Sequence, residues 1–143
     1  MKSPFKSLVV IPSILLLLIT ALFFVPTDLL IPKHSRELQW ARHSTEAKIW
    51  KYEMTGYSYE LRRWLQERQD GGISMEIAAT YFAWGLENPE EFDGITSSIE
   101  SRKRTEVIEW LCHTVGRPSE QTRNFVESRD EPTFIEISEC MWR

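Results

Sequence analysis

The longest uninterrupted apolar stretch of the chain covers residues 8–25, which carry no charged side chain. A helix of this length rises about 27 Å, close to the thickness of the hydrocarbon core of a bilayer. Apolar residues continue to residue 31 after a short polar break. The pattern predicts a short N-terminal tail over residues 1–7 and a transmembrane anchor with its interface over residues 8–31.

A cleaved secretory signal peptide would show a similar apolar stretch after a basic start. It would also need small residues at positions −3 and −1 of its cleavage site. Cleavage after Ala21 would put Ile19 at position −3 and would leave apolar residues on the mature end. The sequence therefore predicts an uncleaved signal-anchor that makes the protein a single-pass membrane protein.

The charges that flank the apolar stretch bear on its orientation. Lys2 and Lys6 lie immediately before it, and positive residues favour the cytoplasmic side. Lys33, Arg36 and Arg42 lie on the other side and favour the opposite orientation. The N-terminal lysines are nearer to the apolar stretch, so we predict a cytoplasmic N-terminus and an extracytoplasmic domain.

Residues 33–143 alternate short amphipathic segments with capping residues, glycine and proline. Apolar side chains recur every three or four positions, the spacing that places them on one face of a helix. This spacing predicts an all-α fold, with the domain forming a bundle of five or six short helices. The predicted helices cover about 36–54, 58–71, a segment beginning at 74, 88–94, 97–115 and a segment beginning at 119.

Three of these segments carry more specific expectations. The helix that begins at Ser74 is apolar almost all round, so we expect it to be the central, buried helix. Gly94 is expected to end the fourth helix early. Residues 133–140 fit either a helix begun by Pro132 or an edge strand, because β-branched residues favour a strand.

Aromatic content and charge limit the class of protein. The chain has 6 Trp, 7 Phe and 4 Tyr, which supply enough apolar area for a hydrophobic core that needs no structural metal ion. Its formal net charge is −4, and the one basic run, residues 102–104, lies between Glu100 and Glu106. Nucleic-acid binders carry a basic surface, so we predict no nucleic-acid partner and a solvated helix face for the run.

Trp40 and Trp50 lie on a minor apolar stripe of the first domain helix, just beyond the membrane segment. Three interpretations fit them: a second core contact, an anchor that rests on lipid headgroups, and a stripe that binds a partner protein. We therefore treat both tryptophans as candidate interaction residues.

The chain contains 2 cysteines, Cys112 and Cys140. An even count, an extracytoplasmic location and the absence of another visible role predict a disulfide between them. Such a bridge would hold the C-terminal segment against the bundle.

No sequence motif identifies a catalytic or cofactor site. The chain lacks a P-loop, a G-x-G-x-x-G and a G-x-S-x-G motif. Glu109, Cys112 and His113 fall within one helical turn, and His43 and Glu46 lie three residues apart, but neither set has further ligands in view. We predict no catalytic residue, no cofactor and no metal.

The prediction for function follows from a tethered, aromatic-rich domain without a recognisable site. We predict a membrane-anchored helical module, attached through residues 8–25, that binds another envelope protein in an accessory, assembly, inhibitor or immunity role. The alternative is a small envelope hydrolase with one buried catalytic glutamate. The candidates for that glutamate are Glu53, Glu60, Glu76 and Glu87.

Overall fold

A computed structural model describes residues 5–29, 37–115 and 117–143, with side chains for residues 10–29, 38–115 and 117–143. These residues form helices joined by short turns, and no strand occurs among them, so the predicted all-α fold is confirmed. A single 3₁₀ turn, Thr27–Leu29, follows the first helix. The helices are α1 (Phe5–Phe24), α2 (Glu37–Thr55), α3 (Tyr59–Glu67), α4 (Gly71–Glu87), α5 (Pro89–Ser97), α6 (Ser101–Val115), α7 (Glu120–Glu127) and α8 (Pro132–Met141).

The part of the chain described after α1 contains seven helices rather than the predicted five or six. The additional helix is α8, in the segment that the sequence left open between helix and strand. Pro132 occupies its first turn, where the fixed φ of proline suits a helix and the missing N–H costs nothing. Residues 30–36, which include the predicted start of the domain, lie outside the described residues.

The helix α5 continues through Gly94 to Ser97, so the prediction that Gly94 ends it early is wrong. A glycine inside a helix costs only about 1 kcal/mol relative to alanine. The same helix buries Phe92, Ile95 and Thr96, and burial of large side chains offsets that cost.

The helix α4 lies at the centre of the bundle and packs against α2, α5 and α6. Ile77, Ala78 and Tyr81 on this helix are fully buried. The Tyr81 ring stacks on Phe92 at 4.7 Å between centroids, and its hydroxyl forms a 2.8 Å hydrogen bond with Thr96 Oγ1. Burial raises the pKa of Tyr81, although the Thr96 hydrogen bond acts in the opposite direction. This hydroxyl therefore stays neutral and fixes α5 on α4.

The helix α1 differs from the other helices in its exposed apolar surface. Ten large apolar side chains from Val10 to Phe24 are exposed, with Leu17 at 69% and Phe24 at 80%. Among the described residues, no helix is both long and apolar enough to cross a membrane. The transmembrane span predicted for residues 8–25 is therefore not supported.

A polar network that contains two buried lysines joins the end of α1 to α2 and α3. Lys48 Nζ contacts Asp28 Oδ1 at 2.7 Å and Thr27 Oγ1 at 2.9 Å. Lys51 Nζ contacts Glu60 Oε1 at 2.8 Å, and Glu60 Oε2 accepts a 3.1 Å hydrogen bond from Thr27 Oγ1. We call these five residues the junction network. The two lysines are only 4% and 2% exposed, so their charges depend on the carboxylates beside them.

Candidate functional site

An open groove of about 470 Å³ runs between α2 and α4 on the surface of the bundle. On each helix the lining residues recur at intervals of three or four positions, which places them on a single face. Over the lined length each helix rises about 16 Å. The lining residues are Arg42, Glu46, Ile49, Trp50 and Glu53 from α2, and Glu76, Ala79, Thr80, Ala83, Trp84 and Glu87 from α4.

Small side chains form the α4 side of the groove, and aromatic rings stand beside them. Ala79 and Ala83 are exposed, because no larger neighbour covers them. Trp50, on the opposite side, is 50% exposed. The Trp84 ring is partly buried and meets Tyr52 edge-on, with 6.1 Å between centroids. The groove therefore exposes apolar and aromatic surface that a partner could cover.

The rim of the groove is acidic. Four carboxylates and one guanidinium line it, a formal charge of −3, while the whole chain carries −4. The lining carboxylates are Glu46, Glu53, Glu76 and Glu87. This face therefore attracts cations and repels anions.

Two of these carboxylates have partners within the protein. Glu46 accepts a 2.9 Å hydrogen bond from Arg42 Nε and lies 3.0 Å from His43 Nδ1. Burial acts to raise the pKa of Glu46, but the Arg42 and His43 contacts outweigh it and hold that pKa below its usual value. Glu53 accepts a 2.9 Å hydrogen bond from Trp84 Nε1, which fixes the indole ring. Glu46 therefore stays ionised at neutral pH.

The other two carboxylates, Glu76 and Glu87, make no hydrogen bond or ion pair with any residue that the structure describes. They lie at the two ends of the α4 face, about 16 Å apart along the helix. The Glu87 charge is therefore available to a cation from outside the bundle, while Glu76 shares the field of Arg42 with Glu46, the main cause of the raised pKa of Arg42.

The structure separates the two candidate interaction tryptophans. Trp40 is only 8% exposed and packs edge-on against Trp64, with 5.6 Å between ring centroids, so it belongs to the core. Trp50 is ten residues further along α2 and lies on the groove. Ten residues correspond to a rotation of about 1000° around the helix axis, so the two side chains point in directions roughly 80° apart. This difference in direction explains why Trp40 lies in the core and Trp50 lies at the groove.

The predicted disulfide is not formed, and both cysteines are free thiols. Cys112 Sγ donates a 3.8 Å hydrogen bond to the Ile137 carbonyl, which joins α6 to α8. Burial raises the pKa of the Cys112 thiol, and the neighbouring Cys140 side chain raises it further. The arrangement keeps the Cys112 thiol neutral and therefore poorly nucleophilic.

We expect the two thiols of the reduced protein to react with N-ethylmaleimide at very different rates. Cys140 is partly exposed and should be modified first. Cys112 should react roughly 100-fold more slowly, because its reaction must wait for local opening of the α6–α8 contact. Peptide mass spectrometry over time measures both rates. Equal rates in native buffer would contradict the burial of Cys112, and denaturant should make them equal.

The glutamates considered for a hydrolase fall in two places. Glu53, Glu76 and Glu87 line the groove, and Glu60 belongs to the junction network. No group of three or more His, Cys, Asp or Glu within the described ranges could hold a metal ion. His43 Nδ1 lies 3.0 Å from Glu46 Oε2, and both of these side chains are exposed.

Sequence reasoning missed Ala79, Ala83 and Trp84 as parts of a site. A signal for them existed, because α2 and α4 each repeat acidic and apolar positions at the same spacing along one face. No protein-family model matches the chain, and no curated protein or solved structure was found to match it.

Proposed function

We propose that this protein is a membrane-attached helical module that binds another envelope protein through the groove between α2 and α4. The observation that carries the proposal is the half-exposed Trp50 beside a floor of alanines. An exposed indole next to a concave apolar surface is typical of binding hot spots, where tryptophan is enriched. The proposed role is accessory, assembly-related or inhibitory, as in an immunity protein.

Attachment to a membrane through α1 is the second element of the proposal. Its exposed apolar side chains would remain in contact with water if nothing covered them, at a cost of about 25 cal/mol for each Å². A lipid bilayer covers a helix on every side, whereas the bundle covers only the end of α1 near Phe23 and Tyr57. The N-terminal lysines support an orientation in which the bundle lies outside the cytoplasm.

Membrane attachment predicts that the full chain stays in the pellet when membranes are washed with sodium carbonate. Replacing Leu16 and Leu17 by glutamate should release it, because both side chains are exposed on α1 and a charge in lipid is costly. The control is Leu38→Glu, a half-exposed leucine on α2, which should stay in the pellet. Release of the unchanged chain, or retention of the double variant, would contradict attachment through α1.

The same membranes test the uncleaved N-terminus and the orientation. Intact-mass analysis should find residues before Ala21 still present, and protease added to spheroplasts should digest the bundle. A mature protein that begins near Leu22 would show cleavage, and full protection would show the reverse orientation.

The binding proposal is tested by a photo-crosslinking amino acid at position 83, in the groove. We expect light-dependent attachment to a second protein in intact cells. The control places the same amino acid at position 120, an exposed site on α7 away from the groove. Absence of any adduct at position 83, or equal adducts at both positions, would contradict a binding groove.

The hydrolase alternative receives less support from the groove. A catalytic acid must stay protonated near neutral pH, so its pKa must be raised. Among the candidate glutamates, Glu53 accepts the hydrogen bond from Trp84 Nε1, and Glu60 accepts hydrogen bonds from Lys51 Nζ and Thr27 Oγ1. The geometry favours binding over hydrolysis.

A further inference from the structure

We infer that the partner segment recognised by the groove is an amphipathic helix with apolar side chains along one face and lysine or arginine beside them. This inference rests on the proposed binding function and names the chemistry of the partner. Three properties of the groove support this inference: the two helices that line it, the small side chains at its base, and the distribution of its charges.

The lining elements determine the shape of the bound segment. An extended peptide binds most often by adding a strand to an exposed sheet edge, where backbone hydrogen bonds hold it. The groove is lined only by the side chains of two helices, so it offers no such edge. A helix that satisfies its own backbone groups is the peptide form suited to this surface.

The floor of the groove permits the close approach that helix packing needs. Ala79, Thr80 and Ala83 present small side chains to the groove, while Ile49 is buried at its base. Small residues let a third helix approach the bundle, with its larger apolar side chains between α2 and α4. Trp50 then covers one side of that helix, and the Trp84 ring is already fixed by Glu53. A preorganised wall loses little entropy on binding.

The charge distribution determines what flanks the apolar face of the partner. Glu76 and Glu87 form no ion pair at contact distance among the described residues and lie at the two ends of the α4 side, about 16 Å apart. Glu53 lies on the α2 side, as does Arg42, which interacts electrostatically with Glu76 at longer range. Lysine or arginine spaced along a docked helix would meet these carboxylates. An acidic helix or a nucleic-acid backbone would be repelled, so complementarity selects the partner by charge as well as by shape.

The experiment uses the full chain in nanodiscs of phosphatidylcholine, which is neutral. The probes are two dye-labelled amphipathic peptides of equal length, one of leucine, alanine and lysine and one with glutamate in place of every lysine. Fluorescence anisotropy measures binding, and empty nanodiscs provide the blank. We expect the lysine peptide to bind and the glutamate peptide to fail. Binding of the lysine peptide should weaken about tenfold between low and high salt.

Variants of the groove make the test specific. Glu76→Gln with Glu87→Gln should weaken binding of the lysine peptide roughly fivefold, since two rim charge pairs are lost. Ala83→Trp should abolish binding because it fills the floor. The matched control is Glu120→Gln with Glu139→Gln, two exposed carboxylates outside the groove, which should bind as the parent chain does. Circular dichroism melting confirms that each variant is folded.

The outcomes separate this inference from the binding function itself. Equal binding of both peptides, no binding of the lysine peptide, or no effect of Glu76→Gln with Glu87→Gln would overturn the basic-helix inference. If position 83 still crosslinks to a protein in cells, the binding function stands and only the partner chemistry is wrong. A crosslinked segment rich in lysine or arginine supports both, and an acidic one overturns the inference.

Discussion

Replacing Gly85 by alanine is expected to destabilise the bundle by about 3 kcal/mol. A Cβ at this position would lie 2.6 Å from Phe92 Cγ and 2.8 Å from Phe92 Cε2. The Phe92 ring cannot move aside, because it is fully buried between the Tyr81 ring at 4.7 Å and the Phe134 ring at 4.9 Å. Overpacking of a rigid core forces the α4–α5 contact apart, and urea denaturation followed by circular dichroism measures the loss.

The control for this substitution is Gly94→Ala in α5. A Cβ there meets nothing within 4 Å, and the residue lies inside a helix. Alanine should therefore stabilise the protein by roughly 0.5–1 kcal/mol, because it reduces the conformational entropy of the unfolded chain. An unchanged denaturation midpoint for Gly85→Ala would mean that the Phe92 ring can relocate without cost.

The second large effect is expected from Glu60→Ala in the junction network. Removal of this carboxylate takes away the ion-pair partner of Lys51, whose side chain is 2% exposed in the parent protein, and leaves the Val25 carbonyl at 3.3 Å as its other acceptor among the described residues. It also removes the acceptor of the Thr27 hydroxyl. An uncompensated buried charge costs about 3 kcal/mol or more, so the free energy of unfolding should fall by that amount.

Two further variants identify the cause of that loss. Lys51→Met combined with Glu60→Leu should recover most of it, because apolar side chains of similar volume tolerate the buried site. Arg63→Ala combined with Glu67→Ala removes an exposed ion pair from the same helix and should cost less than about 1 kcal/mol. Guanidinium denaturation measures the free energy of unfolding of all three variants. If Glu60→Ala is as stable as the Arg63→Ala, Glu67→Ala double variant, the loss does not come from an uncompensated buried charge.

The sequence predicts the helices well because their periodicity is local. The apolar surface of α4 and the Asn88–Pro89 start of α5 are visible without any tertiary information. The buried face of α2 is a different case, since it includes Lys48 and Lys51. No hydrophobic pattern marks a lysine as buried when its partners, Thr27 and Glu60, come from other parts of the chain.

The candidate site was predictable only in part, because some of its features are local in the sequence and others depend on tertiary contacts. Trp50 stands out in the sequence as an aromatic residue on the weaker stripe of its helix, but so does Trp40. Their different environments depend on where Trp64 of α3 packs, which is a tertiary contact. The spacing of Glu76 and Glu87 on α4 can be read from the sequence, whereas the pairing of α4 with α2 that makes a groove cannot.

The junction network also determines how mechanical load would travel through the molecule. A pull along α1 reaches Thr27 and Asp28 first, and from there it divides between α2 through Lys48 and α3 through Glu60. The first helix is thus attached to the bundle at two points, one on α2 and one on α3, rather than at one point.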